Sequence, residues 1–262
     1  MTTPLFVGID IGSLTVKAML LDPDLRVLSR GVVPAGYRGA EAAEALVDGL
    51  LEEAGLTREA IAYTVVTGYG RVRFGAADEE VSEISCHARG AFHLSPSVRT
   101  VLDIGGQDSK AIRLDAQGHV VDFAMNDKCA AGTGRFLEVM AAALDVPLEQ
   151  FGPLALRSEN AVSVSSTCTV FAESEAISHI ARGAAREDIA AGLHAAIANR
   201  VLGLARRVGL EPDVMLTGGV ALNVGLVQAL RRLSRFAIVV PNDPQTVGAL
   251  GAALYAIRGG RR

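Results

Sequence analysis

The chain has 262 residues, half of them hydrophobic and 21% charged, with a formal net charge of −4. This balance excludes global disorder and argues against a dedicated nucleic-acid or anionic-membrane surface. Because the sequence contains no apolar run of about 18 residues and a strand is predicted to begin near Leu5, we expect a soluble, cytoplasmic protein of one large domain or two small ones.

Hydrophobic periodicity predicts an alternation of strands and helices in the first part of the chain. The predicted strands are 5–11, 15–22, 26–33 and 61–67, and the predicted helices are 40–54 and 79–94. Gly55 ends the first helix, as glycine commonly does. These elements form a first domain, predicted over residues 1–96.

The second part of the chain repeats the strand–turn–strand–turn–strand opening of the first. Its predicted strands are 98–104, 110–114, 119–124, 213–217 and 236–240, and its predicted helices are 133–145, 169–184, 186–208, 222–232 and 246–257. The repeat predicts a duplicated α/β fold, with a second domain over residues 97–262. We expect the C-terminal helix to pack back on the first domain.

Two matching turns, at residues 8–13 and 103–108, come at the end of the first strand of each half, and their aspartates lie 93 positions apart. In each, an apolar strand ends in an aspartate, Asp10 or Asp103, before a glycine turn. A carboxylate holds a hydrated cation, and glycine lets backbone N–H groups approach phosphate. One such turn also occurs in ordinary hairpins. Two, with the Gly-Gly turn at 217–220, predict a nucleotide cleft between two similar halves.

Residues 13–17 follow Asp10 and are placed to wrap a phosphate tail. Lys17 could contribute its positive charge to the phosphate, or it could be a solvated strand residue. At 217–220, two glycines leave room for a purine or ribose to lie against the backbone. The alternative is that this segment is an ordinary tight turn between a strand and a helix. The sequence has neither a P-loop nor, at 132–134, a dinucleotide fingerprint.

The chain has three cysteines, an odd number at wide spacing, so the sequence does not predict a framework of disulfide bonds. Cys129 and Cys168 each lie just before a predicted helix, where the dipole favours the metal-ligating thiolate. Small hydrophobic core residues are the alternative for both, but the Gly, Ala, Ser and Thr around them suit a close backbone approach. Cys86 lies in the middle of a predicted helix and is expected in the core.

Two thiolates cannot complete an iron–sulfur cluster, which typically needs four. Histidine is absent from the surroundings of both cysteine motifs. A two-fold dimer that brings Cys129 and Cys168 of both chains to its axis would supply the four ligands.

Several motifs together resemble the ATP-dependent activators of 2-hydroxyacyl-CoA dehydratases. They are residues 8–13, 67–71, 103–108, 126–136, 166–175, 217–220 and 248–254, and the resemblance runs from about residue 5 to 257. It implies an α/β fold of the duplicated actin/Hsp70/acetate-and-sugar-kinase (ribonuclease H-like) type, with two lobes around a nucleotide cleft. It also implies a homodimer in which Cys129 and Cys168 of each chain hold one [4Fe-4S] cluster on the two-fold axis.

The resemblance also implies the residues that bind ATP or ADP with Mg²⁺. Asp10 and Asp103 would hold the Mg²⁺ and orient the attacking water, with Gln107 assisting. The implied nucleotide contacts are Gly12, Ser13, Leu14, Thr15, Val16, Lys17, Gly105, Gly106, Gln107, Gly218, Gly219, Asn223 and Gln245.

The activity implied is ATP hydrolysis that drives one electron from ferredoxin or flavodoxin to a dehydratase, in an anaerobic cell. Three alternatives stay open. The ATPase subunit of a benzoyl-CoA reductase shares these motifs. A small-molecule kinase of the same fold would leave Cys129 and Cys168 without a role. A non-enzymatic nucleotide sensor usually carries an added DNA-binding segment, for which we find no room.

Overall fold

The computed structural model describes residues 3–165, 168–234 and 236–261. These fall into two compact units. Unit 1 takes its residues from 1–97, 116–120 and 245–262, and unit 2 from 98–115 and 121–244. Within the described ranges, no helix is both long and apolar enough to cross a membrane.

The described chain contains ten strands and eight α-helices. The strands are β1 (Leu5–Ile11), β2 (Thr15–Leu21), β3 (Val27–Pro34), β4 (Ile61–Thr67), β5 (Glu79–Glu80), β6 (Thr100–Ile104), β7 (Ser109–Leu114), β8 (Val120–Asn126), β9 (Val214–Thr217) and β10 (Ile238–Val239). The helices are α1 (Gly39–Glu53), α2 (Glu83–Leu94), α3 (Gly134–Ala143), α4 (Leu148–Ala155), α5 (Thr169–Ala181), α6 (Arg186–Arg207), α7 (Val224–Ser234) and α8 (Val247–Gly259).

Two five-stranded sheets have the same topology, one in each unit. Their strand orders are β3-β2-β1-β4-β5 and β8-β7-β6-β9-β10. The middle strand of each, β1 or β6, is antiparallel to the strand that follows it in the chain and parallel to β4 or β9. The predicted duplication is therefore confirmed at the level of strand order and direction.

Unit 1 buries side chains on both faces of its sheet. Leu5, Val7 and Ile9 pack toward α1 because alternate residues of a strand share a face. On the other face α8 lies directly on β1, where a Cβ on Gly8 would come 2.1 Å from the Ala249 carbonyl oxygen. Only glycine permits this approach, and it places the C-terminal helix against the strand that carries Asp10.

Unit 2 is built around α6, whose Ile189, Leu193 and Ile197 are fully buried. The apolar face of this helix packs against α4 and α7 and against the second sheet. The sequence analysis missed α4, because Pro147 precedes it and Pro153 lies inside it.

The helix predicted over 79–94 was wrong in its first residues. Glu79–Glu80 form the short edge strand β5, and α2 begins at Glu83. Ser82 accepts a hydrogen bond from the Ser85 N–H through its side chain (3.1 Å), which is a typical N-cap. The helix predicted over 222–232 begins two residues later, after a 3₁₀ turn at Gly219–Leu222.

Candidate functional site

Asp10 lies near the end of β1 and is only 6% exposed. The strand register pairs it with Lys17 on β2 and with Thr67 on β4. Lys17 Nζ lies 3.2 Å from Asp10 Oδ2. The buried carboxylate therefore has a cation beside it, and Lys17 is an ion-pair partner rather than a solvated strand residue.

Gly68, directly after β4, closes against the Asp10 carboxylate. Its φ of +87° is one that L side chains rarely adopt, and a Cβ there would lie 2.5 Å from Asp10 Oδ1 and from the Ile11 carbonyl oxygen. Arg71 Nη1 donates to the Gly68 carbonyl (2.9 Å) and holds the loop in place. The sequence analysis gave this loop no role in the site, although a glycine directly after a strand was the available signal.

Asp103 occupies the equivalent position in unit 2 and is 4% exposed. It pairs in register with Lys110 on β7 and Thr217 on β9. The Thr217 hydroxyl donates to Asp103 Oδ1 (3.0 Å), and Lys110 Nζ lies 3.5 Å from Oδ2. Gly218 follows β9 with φ +87°, and a Cβ there would lie 2.8 Å from Asp103 Oδ1. The two halves thus repeat the same surroundings around an aspartate.

The turn after β1 contains several of the predicted phosphate contacts. The Gly12 N–H donates to the Thr15 carbonyl (3.0 Å), and the Leu14 carbonyl accepts from Ala35 (2.9 Å). Ser13 and Leu14 are exposed. The turn is therefore held at both sides and presents its tip to solvent.

Val16 and Lys17 differ in what they can offer a ligand. The Val16 side chain is fully buried in the core, so any contact with a nucleotide would have to come from its backbone. A Cβ on Gly12 would lie 3.0 Å from Lys17 Nζ, which places the ammonium group over this turn.

The turn after β6 is built in the same way. The Gly105 N–H donates to the Asp108 carbonyl (3.0 Å), which corresponds to the Gly12 bond of the first turn. Gln107 is exposed at its tip. The predicted catalytic side chain therefore faces solvent, as a residue that orients an attacking water requires.

The same turn is bonded to the start of α3. The Gly105 carbonyl accepts from the Gly134 N–H (2.9 Å), and the Gly106 carbonyl accepts from the Arg135 N–H (2.8 Å). The first N–H groups of a helix have no acceptor within the helix, and these two bonds supply one for each of Gly134 and Arg135. The glycine turn and the first residues of α3 are therefore joined directly within unit 2.

Asn223 is held by two partners in unit 2. Its Oδ1 accepts from the Leu226 N–H at the start of α7 (3.0 Å) and lies 3.0 Å from His194 Nε2. The buried His194 donates from Nδ1 to the Ala190 carbonyl (2.7 Å), and burial lowers its pKa. The bond from the Leu226 N–H to Oδ1 fixes the orientation of the Asn223 amide at the start of α7. The sequence analysis did not identify His194.

The other three predicted nucleotide contacts lie beside chain turns. Gly218 donates its N–H to the Pro244 carbonyl (2.8 Å), which closes the turn after β9, and Gly219 begins the 3₁₀ turn that follows. In unit 1, Gln245 is half-buried, close before α8.

Cys129 lies in a loop between β8 and α3 and is half-buried with a free thiol. Asn126 Nδ2 donates to the carbonyls of Cys129 and Ala131, both at 2.9 Å. Thr133 closes the loop by donating its hydroxyl to the Ala130 carbonyl (2.7 Å). The loop conformation that carries Cys129 is therefore held by side chains on both flanks.

Cys168 is the residue immediately before α5 and is also half-buried. Val170 and Phe171, in the first turn of that helix, are 65% and 63% exposed. Ser166 and Thr167 of the predicted motif lie outside the described residues. Both cysteines precede helices, as predicted.

Cys86 is fully buried in α2, and burial raises the pKa of its thiol to about 12. This confirms that it is a core residue. Among the described residues, no group of three or more His, Cys, Asp or Glu side chains could hold a metal ion. An iron–sulfur cluster typically takes four thiolates, and Cys129 and Cys168 are half-buried free cysteines of this chain.

Buried carboxylates beside glycine turns also suit a magnesium–phosphate complex, because oxygen ligands and bare backbone N–H groups are what that complex requires. At Asp10 and Asp103, the space that a glycine Cβ would fill is left open beside Oδ1. Two sheets of one topology, each with this arrangement at its middle strand, define a nucleotide-binding fold of the actin, Hsp70 and sugar-kinase class.

Comparison with known proteins gives the family. Residues 7–256 match the BadF/BadG/BcrA/BcrD ATPase family, and the chain belongs to it. It is therefore an ATPase. The activator of lactoyl-CoA dehydratase from Anaerotignum propionicum is 51% identical over 249 residues, which cover 95% of this chain and 96% of the relative.

Solved structures confirm the predicted fold class. The (R)-2-hydroxyglutaryl-CoA dehydratase component A from Acidaminococcus fermentans superposes with a TM-score of 0.95 at 45% identity, covering 99% of this chain and all of that one. The activator of the 2-hydroxyisocaproyl-CoA dehydratase from Clostridium difficile with bound ADPNP gives a TM-score of 0.92 at 46% identity, covering 98% and 96%.

Proposed function

We propose that this chain is an ATP-driven activator that donates one electron to a 2-hydroxyacyl-CoA dehydratase. The dehydratase activators described above support this proposal, since they match the chain over nearly its whole length. Its electron donor would be a ferredoxin or a flavodoxin. We also propose that the chain acts in the cytoplasm.

The nucleotide would be ATP or ADP with Mg²⁺. Asp10 and Asp103 would hold the hydrated ion and orient the attacking water, and Gln107, which is exposed, would assist. Phosphoryl transfer to water depends mainly on positioning and on stabilising charge. Buried, ion-paired carboxylates supply that fixed charge, since their orientation is set before the ligand arrives.

The remaining contacts divide between phosphate and nucleoside. The phosphates would meet the turn at 12–17 and the turn at 105–107, where backbone N–H groups and Lys17 are available. The purine or ribose would meet Gly218, Gly219, Asn223 and Gln245. Asn223 would contact the nucleoside through its amide group, whose orientation is set by the bond from the Leu226 N–H to its oxygen.

Cys129 and Cys168 would hold a [4Fe-4S] cluster shared by two copies of the chain. When bound, such a cluster supplies one-electron chemistry. Two observations support a homodimer with this arrangement. One chain has two half-buried free thiols next to helix starts, and the apolar Val170 and Phe171 are exposed beside Cys168.

The observation that carries the proposal is the bonding between the turn at 105–107 and the start of α3. Gly134 and Arg135 donate to Gly105 and Gly106, and the Cys129 loop ends where α3 begins. A change in the turn's peptide groups on nucleotide binding or hydrolysis would therefore act on the loop that carries Cys129.

The test is to purify the chain without oxygen and to measure iron, sulfide and native mass together. We expect about four irons per dimer, lost in Cys129→Ser and Cys168→Ser and kept in the matched control Cys86→Ala, whose thiol is in the core. With ATP and a reduced ferredoxin, the unaltered chain should activate a 2-hydroxyacyl-CoA dehydratase.

An iron-free chain that hydrolyses ATP, and in which both cysteines are dispensable, would contradict the proposal and favour a small-molecule kinase. Iron in a complex that forms only with other reductase subunits would favour the benzoyl-CoA reductase alternative.

A further inference from the structure

Lys110 is a buried cation in a chain that has very few lysines. Lys17, Lys110 and Lys128 are the only lysines among 25 basic residues. The Lys110 side chain is 3% exposed, and its Nζ lies 2.8 Å from Asp108 Oδ2 and 3.5 Å from Asp103 Oδ2. A charge buried to this degree is retained only with close partners, and Lys110 has two carboxylates.

The same pair occurs in the first half of the chain. Asp10 faces Lys17 across β1 and β2, as Asp103 faces Lys110 across β6 and β7. The second half adds Asp108 as a further anchor for its lysine, and Thr217 as a donor to Asp103 Oδ1. Both oxygens of Asp103 therefore have a partner within the chain.

This arrangement fixes the orientation of the Asp103 carboxylate and does not prevent it from binding a cation. The bonds from Thr217 to Oδ1 and from Lys110 to Oδ2 set the rotamer of the carboxylate, whose oxygens can each accept about two hydrogen bonds. Lysine suits the position because its ammonium is a compact point charge, whereas the planar fork of arginine needs more space.

We propose that Lys110 is a positioning residue: by bridging Asp108 to Asp103, it holds the Asp103 carboxylate in the orientation that binds the Mg²⁺ of the nucleotide. The inference rests on the proposed function, because it takes Asp103 to be a magnesium residue. Asp108 also accepts the Gly105 N–H through its carbonyl, so the phosphate turn and the metal carboxylate share one anchor.

The test compares four forms of the chain: unaltered, Lys110→Met, the double variant Lys110→Met/Asp108→Asn, and Arg113→Met as the control. Arg113 lies on the same strand and pairs with one carboxylate, Glu211, so its loss removes a charge away from Asp103. ADP affinity is measured by calorimetry over a range of Mg²⁺ concentrations, and thermal unfolding is measured in parallel.

We expect Lys110→Met to weaken the apparent Mg²⁺ affinity of the ADP complex by about 10–100-fold, as loss of a residue that orients a metal ligand typically does. The affinity for ADP without Mg²⁺ should stay within about twofold, and Arg113→Met should bind like the unaltered chain. The double variant removes Asp108, one of the two carboxylates that lose their cation in Lys110→Met, so it should regain part of the thermal stability without regaining Mg²⁺ affinity.

Recovery of both properties in the double variant would show a purely structural charge pair and overturn the inference. Unaltered Mg²⁺ dependence in Lys110→Met would also overturn it, while leaving the ATPase proposal standing. Failure of the unaltered chain to bind ADP at any Mg²⁺ concentration would instead overturn the proposed function, and the inference with it.

Discussion

Replacing Gly68 by alanine is expected to displace the Asp10 carboxylate and thereby to impair both stability and magnesium binding. Gly68 has φ +87°, and a Cβ there would lie 2.5 Å from Asp10 Oδ1 and 2.5 Å from the Ile11 carbonyl oxygen. Neither neighbour is the end of a flexible side chain, since one is backbone and the other is a short buried carboxylate. The loop or the carboxylate must therefore move.

The expected loss has two parts. A left-handed backbone conformation costs an alanine about 1–2 kcal/mol, and overpacking against fixed atoms adds about 1–3 kcal/mol. Gly68→Ala should therefore lower the free energy of unfolding by about 2–5 kcal/mol. Because an Asp10 oxygen is one of the two closest atoms, apparent Mg²⁺ affinity in ATP hydrolysis should also fall, by about 10–100-fold.

Gly36→Ala is the matched control. Gly36 also lies in unit 1 with a positive φ, +55°, but a Cβ there would meet nothing within 4 Å. Urea unfolding of both variants should show a loss of about 1–2 kcal/mol for Gly36→Ala, with ATP hydrolysis unchanged. If the two variants lose equal stability and keep the same Mg²⁺ dependence, the reasoning from the contact with Asp10 is wrong.

Three further predictions test other parts of the structure. Cys86 should resist iodoacetamide at pH 8 in the native chain and react after unfolding, because its raised pKa of about 12 leaves little thiolate; rapid native alkylation, read by mass spectrometry, would contradict its burial. Gly8→Ala should lower the free energy of unfolding, measured in urea, by about 1–3 kcal/mol. Gly49 is a helical position with open space around it, so Gly49→Ala should raise the same free energy by about 0.5–1 kcal/mol. Equal effects would refute the close packing of α8 on β1. Asn223→Ala should lower the free energy of unfolding by about 2–4 kcal/mol, since it removes the hydrogen-bond acceptor at the start of α7 and the partner of His194. A loss under about 0.5 kcal/mol would show that neither contact stabilises the fold.

Most of the helices and strands were predicted from signals in neighbouring residues of the sequence. β1 and β4 were predicted with their observed bounds, because alternating or continuous apolar residues between turn signals are properties of a short stretch of chain. The same logic failed at α4, where two prolines hid a helix whose Phe151 is fully buried. Burial of that aromatic ring by the rest of unit 2 outweighs the local signal.

The candidate site divides in the same way. Asp10, Asp103, Cys129 and Cys168 stood out in the sequence because each is adjacent to a strand end or a helix start, which is a relation between neighbouring residues. Lys110 had no predicted role, since its bond to Asp103 depends on the pairing of two strands.

The sequence by itself determined the repeated strand-and-turn pattern, the two aspartates and the two cysteines that precede helices. Only the tertiary structure decided that Gly68 closes on Asp10, that His194 holds Asn223, and that the turn at 105–107 is bonded to the start of α3. The physical reason is that periodicity and turn chemistry act over a few neighbouring residues. Contacts such as these join segments far apart in the chain, and they form only when the sheets and helices pack.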